Sequence, residues 1–157
     1  MTLRLQVNGR AVEIDADATA PLLELLRNGL GLRGSRFGCG LEQCGACMVL
    51  LDGEPVYACT LAVGAAAGRS VTTVEGLGTP EAPHPLQTAF LAEQAGQCGY
   101  CLSGILIAAK ALLDRNPDPS RAEIAAALDR NLCRCGAHNR IIRAVTRAAA
   151  ALRGAAA

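Results

Sequence analysis

Aromatic side chains are scarce in this chain: there is no tryptophan, and 157 residues hold two tyrosines and two phenylalanines. Apolar burial must come from aliphatic residues, with alanine carrying much of it. A nucleic-acid binder needs a basic stripe or aromatic stacking platforms. Neither is present, and the formal charge is only +1, so no nucleic-acid partner is expected. Long apolar runs are also missing. The most apolar stretch, Leu102 to Leu113, is interrupted by Lys110 and is too short to span a bilayer, so no transmembrane segment is expected. The opening MTLRLQVNGR lacks the apolar stretch of a secretory leader. The expected location is therefore cytoplasmic, with export alongside a signal-bearing partner as the other route. There is no Walker phosphate loop, dinucleotide fingerprint or Ser-His-Asp set, so the chain is not expected to carry out bond chemistry itself.

Cysteine is the exception to this plainness. There are eight, and without a secretory context they point to metal rather than to disulfides. Three of them, Cys39, Cys44 and Cys47, fall within nine residues of the stretch RFGCGLEQCGAC, and Cys59 follows a short apolar segment. This C-x4-C-x2-C…C spacing is that of plant-type 2Fe–2S ligands. Such a cluster carries about two negative charges when oxidised with its four thiolates. Gly38, Gly40, Gly45 and Ala46 let the loop wrap tightly and turn backbone N–H groups inward against that charge. A zinc knuckle or a pair of disulfides is the alternative reading.

Along the chain, Leu3–Val7 and Ala11–Ile14 alternate as strands around the Asn8-Gly9 turn. Pro21 to Arg27 predicts a helix with its leucines in the core and Gly29 or Gly31 near its end. After the cysteine loop come strands at 48–51 and 55–57 around Asp52-Gly53, then another at 70–74. Together these make a small mixed sheet crossed by a helix. The stretch GLGTPEAPHP, residues 76–85, marks a boundary. The expected units are 1–76, a linker over 77–85, and a helical unit over 86–157. Helices are predicted at 85–95, with Leu86, Phe90 and Leu91 on one face, and at 100–115, 120–129 and 137–152. Ser120 and Glu123 form a capping box, Asn116-Pro117 stops the second helix, and the terminal Gly-Ala-Ala-Ala is expected to fray.

The other four cysteines stand at the starts of these helices: Cys98 and Cys101 in C-x2-C, Cys133 and Cys135 in C-x-C. Helix starts offer free N–H groups and a positive dipole end, which suit an anionic cluster. C-x-C is short for the zinc pattern, and a redox dithiol needs a βαβ setting that is absent. A second 2Fe–2S cluster is the favoured reading, with zinc as the alternative. Two such clusters would take the formal charge to about −3. A Rieske-type centre would need two histidines in place of two cysteines. Eight thiols already fill two sets, so His84 and His138 are read as structural or surface groups. Arg134, between two of the cysteines, could offset cluster charge or remain solvated.

GCGLEQCGAC with Cys59, then QCGYC and NLCRCG, resembles the small iron–sulfur subunit of the molybdenum hydroxylases, the family of xanthine dehydrogenase and aldehyde oxidoreductase. The resemblance covers nearly the whole chain. It implies an α+β architecture, a plant-ferredoxin-like β-grasp domain followed by a four-helix bundle. It implies that Cys39, Cys44, Cys47 and Cys59 hold an outer 2Fe–2S cluster, and Cys98, Cys101, Cys133 and Cys135 an inner one. The inner one would lie beside a molybdopterin held by a large partner subunit, with Gln97 hydrogen-bonding the pterin and Cys135 the ligand in touch with it. Gln97 would otherwise pass as an ordinary polar residue. The implied function is electron transfer from the molybdenum centre to an FAD-binding subunit or a cytochrome c-type acceptor. Met48, Leu102-Ser103-Gly104 and Gly136-Ala137 depart from the common family pattern. They look more like the nicotinate dehydrogenase and isoquinoline oxidoreductase small subunits. The competing reading is a zinc-stabilised adaptor without a redox role.

Overall fold

A computed structural model describes residues 1–156. Two strands, β1 (Thr2–Val7) and β2 (Arg10–Asp15), form an antiparallel hairpin in register Leu3↔Ile14 and Leu5↔Val12. Asn8 and Gly9 turn it, both with positive φ, the conformation that matches strand twist in two-residue turns. β3 (Met48–Leu51) and β4 (Glu54–Tyr57) pair the same way around Asp52-Gly53. β5 (Ser70–Thr72) lies between the hairpins, parallel to β1 and antiparallel to β3, giving the order β2-β1-β5-β3-β4. Leu3, Leu5 and Val7 alternate inward from β1, while all four residues of β3 are buried because the sheet is covered on both sides there.

The sheet's first cover begins at Pro21, but it is not the plain helix expected. Three α-helical residues, α1 (Leu22–Glu24), widen into a π turn over Leu25–Gly29, where the Leu30 amide reaches the Leu25 carbonyl at 3.0 Å. Leu22, Leu23, Leu25 and Leu26 are all buried. The wide turn keeps both leucine pairs facing the sheet, a packing demand that periodicity alone does not reveal. β5 also stops short of 74, because the Thr73 amide is diverted to Asn8 Oδ1 (2.8 Å) and a 3-10 turn follows over Val74–Gly76.

Beyond the 76–85 stretch the chain is helical: α2 (Pro85–Ala92), α3 (Leu102–Arg115), α4 (Arg121–Ala127) and α5 (His138–Ala156). His84 caps α2, its Nδ1 accepting from the Leu86 amide at 3.1 Å. Ser120 and Glu123 form the expected box at α4. Two expectations need correction. Leu91 is 79% exposed rather than on the buried face with Leu86 and Phe90, its place taken by Ala89. The last helix continues through Ala156 instead of fraying at Gly154, since alanine is the best helix former and carries it on.

α3 holds the molecule together. Ten of its fourteen residues are buried. Ile107, Ala108 and Ala111 belong to the core beneath the sheet, whereas Ile105, Leu106, Ala109, Leu112 and Leu113 face α2, α4 and α5. Each fully buried leucine or isoleucine contributes about 1.5–3 kcal/mol, so both cores draw on one helix. Among the described residues, no helix is long and apolar enough to cross a membrane.

Candidate metal centres

All eight cysteines are free thiols; neighbouring sulfurs link Cys39, Cys44, Cys47 and Cys59 in one place and Cys98, Cys101, Cys133 and Cys135 in another. In the loop between the π turn and β3, the Cys39 sulfur accepts from the amides of Leu41 (3.3 Å), Gln43 (3.3 Å) and Cys44 (3.4 Å). These N–H groups pull the Cys39 thiol down to about 7. Cys47, at the entrance to β3, has the opposite environment. Burial pushes its thiol up to about 12, with the neighbouring Cys59 and Cys44 sulfurs adding to the effect. A side chain at Gly38 would place its Cβ 2.7 Å from the Cys44 sulfur, so the tight wrap depends on that glycine.

In the second set, Cys101 is the residue just before α3, at its N-cap, and Cys133 and Cys135 lie in the segment before α5. The Cys98 and Cys135 sulfurs are 3.5 Å apart. The Tyr100 amide and the Cys135 thiol lower Cys98, while burial and then Cys133 push Cys101 up to about 12. Burial opposes ionisation of Cys133, but hydrogen bonds from the Ala137 amide, the Cys101 thiol and the amides of Cys135 and Gly136 outweigh it, and its thiol is lowered. Each set thus mixes a readily ionised thiol, Cys39 or Cys98, with a more reluctant one, buried Cys47 or half-buried Cys101.

The donor chemistry fits an anionic iron–sulfur core: four thiols per set, no disulfide, and backbone N–H groups already aimed at sulfur. Among the described residues, no three His, Cys, Asp or Glu side chains close around one ion-sized point. His84 and His138 stand outside both sets, in keeping with the structural reading.

The two sets are neighbours. A cavity of about 150 Å³ is lined by Cys44 of the first together with Cys98, Cys101 and Cys135 of the second, and by Arg134. Gln97 does not line it. That residue is exposed and lines a separate groove of about 890 Å³, with Phe90, Leu91, Leu102 and Arg140. The structure also reveals partners that spacing gave no hint of. Arg36 Nη1 donates to the Gly99 carbonyl at 2.6 Å and its guanidinium stands 5.2 Å from the Tyr100 ring, whose hydroxyl donates to the Phe37 carbonyl. Ser103, Gly104, Asn131 and Leu132 all meet the first cysteine loop. Their residue types are ordinary, and only the fold brings them there.

The family described as the 2Fe-2S iron-sulfur cluster binding domain matches residues 5–69, and the 2Fe-2S binding domain family matches residues 73–146. One of the nicotinate dehydrogenase subunits of Pseudomonas putida is 55% identical over 94% of this chain and 94% of its own length. The chain belongs to the family of small iron–sulfur subunits of the molybdenum hydroxylases. The alpha chain of isoquinoline 1-oxidoreductase from Brevundimonas diminuta, another of these subunits, is 49% identical over 91% of this chain and 94% of its own. The aldehyde oxidoreductase of Desulfovibrio desulfuricans superposes with a TM-score of 0.95 at 44% identity, covering 98% of this chain. The chain spans 17% of that much longer polypeptide. Family membership agrees with two 2Fe–2S clusters and with a ferredoxin-like first half in an α+β fold.

Proposed function

We propose that this small subunit is the electron-transfer component of a molybdenum-dependent hydroxylase or dehydrogenase. It would connect the molybdopterin centre of a large partner subunit to a flavin or cytochrome acceptor. The observation that carries this reading is the meeting of two four-thiol sets across one small cavity, which makes the chain a relay rather than a single centre. When bound, each 2Fe–2S cluster supplies one-electron redox chemistry; the protein contributes ligands, burial and hydrogen bonds.

In this assignment Cys39, Cys44, Cys47 and Cys59 hold the outer cluster and Cys98, Cys101, Cys133 and Cys135 the inner one. The amides on Cys39 and Cys98 offset thiolate charge, and burial of Cys47 and half-burial of Cys101 limit water at those sulfurs. Gln97, exposed on the rim of the large groove, is assigned to the partner's pterin, and Cys135 to the contact between that pterin and the inner set. The units are taken as 1–76, the linker 77–85 and 86–157, the latter with α2 to α5 as a four-helix bundle, and the location as cytoplasmic.

Metal and sulfide analysis of anaerobically purified chain, together with its large partner, tests the reading. Iron and acid-labile sulfide at about four atoms each per chain, with two distinct paramagnetic signals after reduction, would support it. Zinc in a colourless protein would overturn it in favour of an adaptor without a redox role.

A further inference from the structure

The two cysteine loops are joined by three consecutive carbonyls. Between Cys44 and Cys47, the carbonyl of Cys44 accepts from the Leu132 amide at 2.9 Å, that of Gly45 from Asn131 Nδ2 at 3.4 Å, and that of Ala46 from Ser103 Oγ at 3.4 Å. Each donor stands one or two residues from a cysteine of the other set: Leu132 and Asn131 just before Cys133, Ser103 just after Cys101. The contacts therefore run almost from ligand to ligand, rather than through remote packing.

Gly104 limits how closely this seam closes. A Cβ there would lie 2.8 Å from the Gly45 carbonyl carbon, still nearer its oxygen, and 3.3 Å from the Ala46 Cα. These are backbone atoms, which cannot swing aside as a flexible side chain would. Gly104 lies in the first turn of α3, three residues after Cys101, and is buried. Bare helix backbone thus rests directly on the first cysteine loop. Asn131 supports the same spacing at a cost. Its Nδ2 also lies 3.4 Å from Met48 Sδ, and its Oδ1 is buried with no partner. A buried acceptor without a partner is destabilising, so an asparagine here is accounted for by what its amide nitrogen holds.

We propose that Gly104 is a positioning residue that sets the separation of the two cysteine sets, with Ser103, Asn131 and Leu132 fastening the loops at that separation. The proposal rests on the two-cluster reading above. It concerns distance, not a new chemical step: one electron leaves a reduced centre and enters an oxidised one, and both rate and magnetic interaction fall as the centres move apart.

The test uses the chain with its large partner, reduced and examined by electron paramagnetic resonance alongside iron analysis. The wild type should show two signals with a mutual interaction; if it holds no iron, both this inference and the functional reading fall. Gly104→Ala should keep its iron but show a weakened interaction and a several-fold slower exchange of electrons between the centres in freeze-quench experiments. If it does not assemble, the double variant Ser103→Ala with Asn131→Ala decides, because it removes two donors without adding bulk against the loop. Gly154→Ala, with nothing within 4 Å of the new Cβ, is the control and should match the wild type. Full iron with an unaltered interaction in Gly104→Ala, or in the double variant where Gly104→Ala fails, would overturn the proposal with the two-cluster reading intact.

Discussion

Gly45 and Gly53 provide a paired test of how tightly the first cysteine loop is enclosed. Both have positive φ, +73° and +86°, but their surroundings differ completely. At Gly53, in the β3–β4 turn, an added Cβ meets nothing within 4 Å. At Gly45 it would lie 2.5 Å from the Arg130 carbonyl oxygen and against the Asn131 amide. Alanine in the left-handed region costs about 1–2 kcal/mol at either site. Lower entropy of the unfolded chain returns about 0.4–1 kcal/mol in both variants and cancels between them. Only Gly45→Ala adds a clash with the Arg130 backbone and the buried Asn131 side chain, worth about 1–3 kcal/mol. For a chain of this length each kcal/mol moves the melting midpoint by about 2–4 °C. Gly45→Ala should therefore melt about 2–12 °C below Gly53→Ala. The assay is anaerobic thermal denaturation of cluster-loaded protein at one scan rate, followed by far-ultraviolet and visible circular dichroism. Equal midpoints for the two variants would refute the argument that residues 130 and 131 enclose this loop.

Other consequences can be checked more simply. In metal-free protein, Cys39 should be alkylated at neutral pH, its rate rising through about 7 and then levelling, while the buried Cys47 stays unreactive until far more alkaline conditions; mass-spectrometric mapping against pH reads this. Ser120→Ala should cost about 1 kcal/mol in chemical denaturation by removing the cap of α4. Arg143 and Arg147, each 3.2 Å from Glu93, hold its carboxyl below the usual range. The stability this provides is complete above the ordinary glutamate pKa and lost as pH falls below it. Glu93→Gln should flatten the loss of urea resistance below about pH 4 without steepening it near neutrality.

The strands, the ligand loop and the four later helices were legible because each depends on neighbouring residues: Asn8-Gly9 and Asp52-Gly53 turn chemistry, the Ser120–Glu123 box, the cysteine spacings. What escaped depends on residues far apart. The π turn answers to the sheet beneath Leu25 and Leu26, and Leu91 faces outward because Ala89 and Phe90 satisfy the contact with α5. The seam residues were the least legible. Gly104 reads as a small helix residue and Asn131 as a polar loop residue until residues 44–46 are folded against them.

The shared helix α3 has a consequence for dissection of the molecule. Cleavage in the 77–85 stretch would take Ile107, Ala108 and Ala111 away from the sheet and leave fully buried Val49 and Val71 in a layer missing one wall. An isolated 1–84 fragment should accordingly aggregate or stay molten, binding a dye such as ANS, even though its strand order is complete. The first half borrows its floor from the second, so the two halves are expected to fold and unfold together.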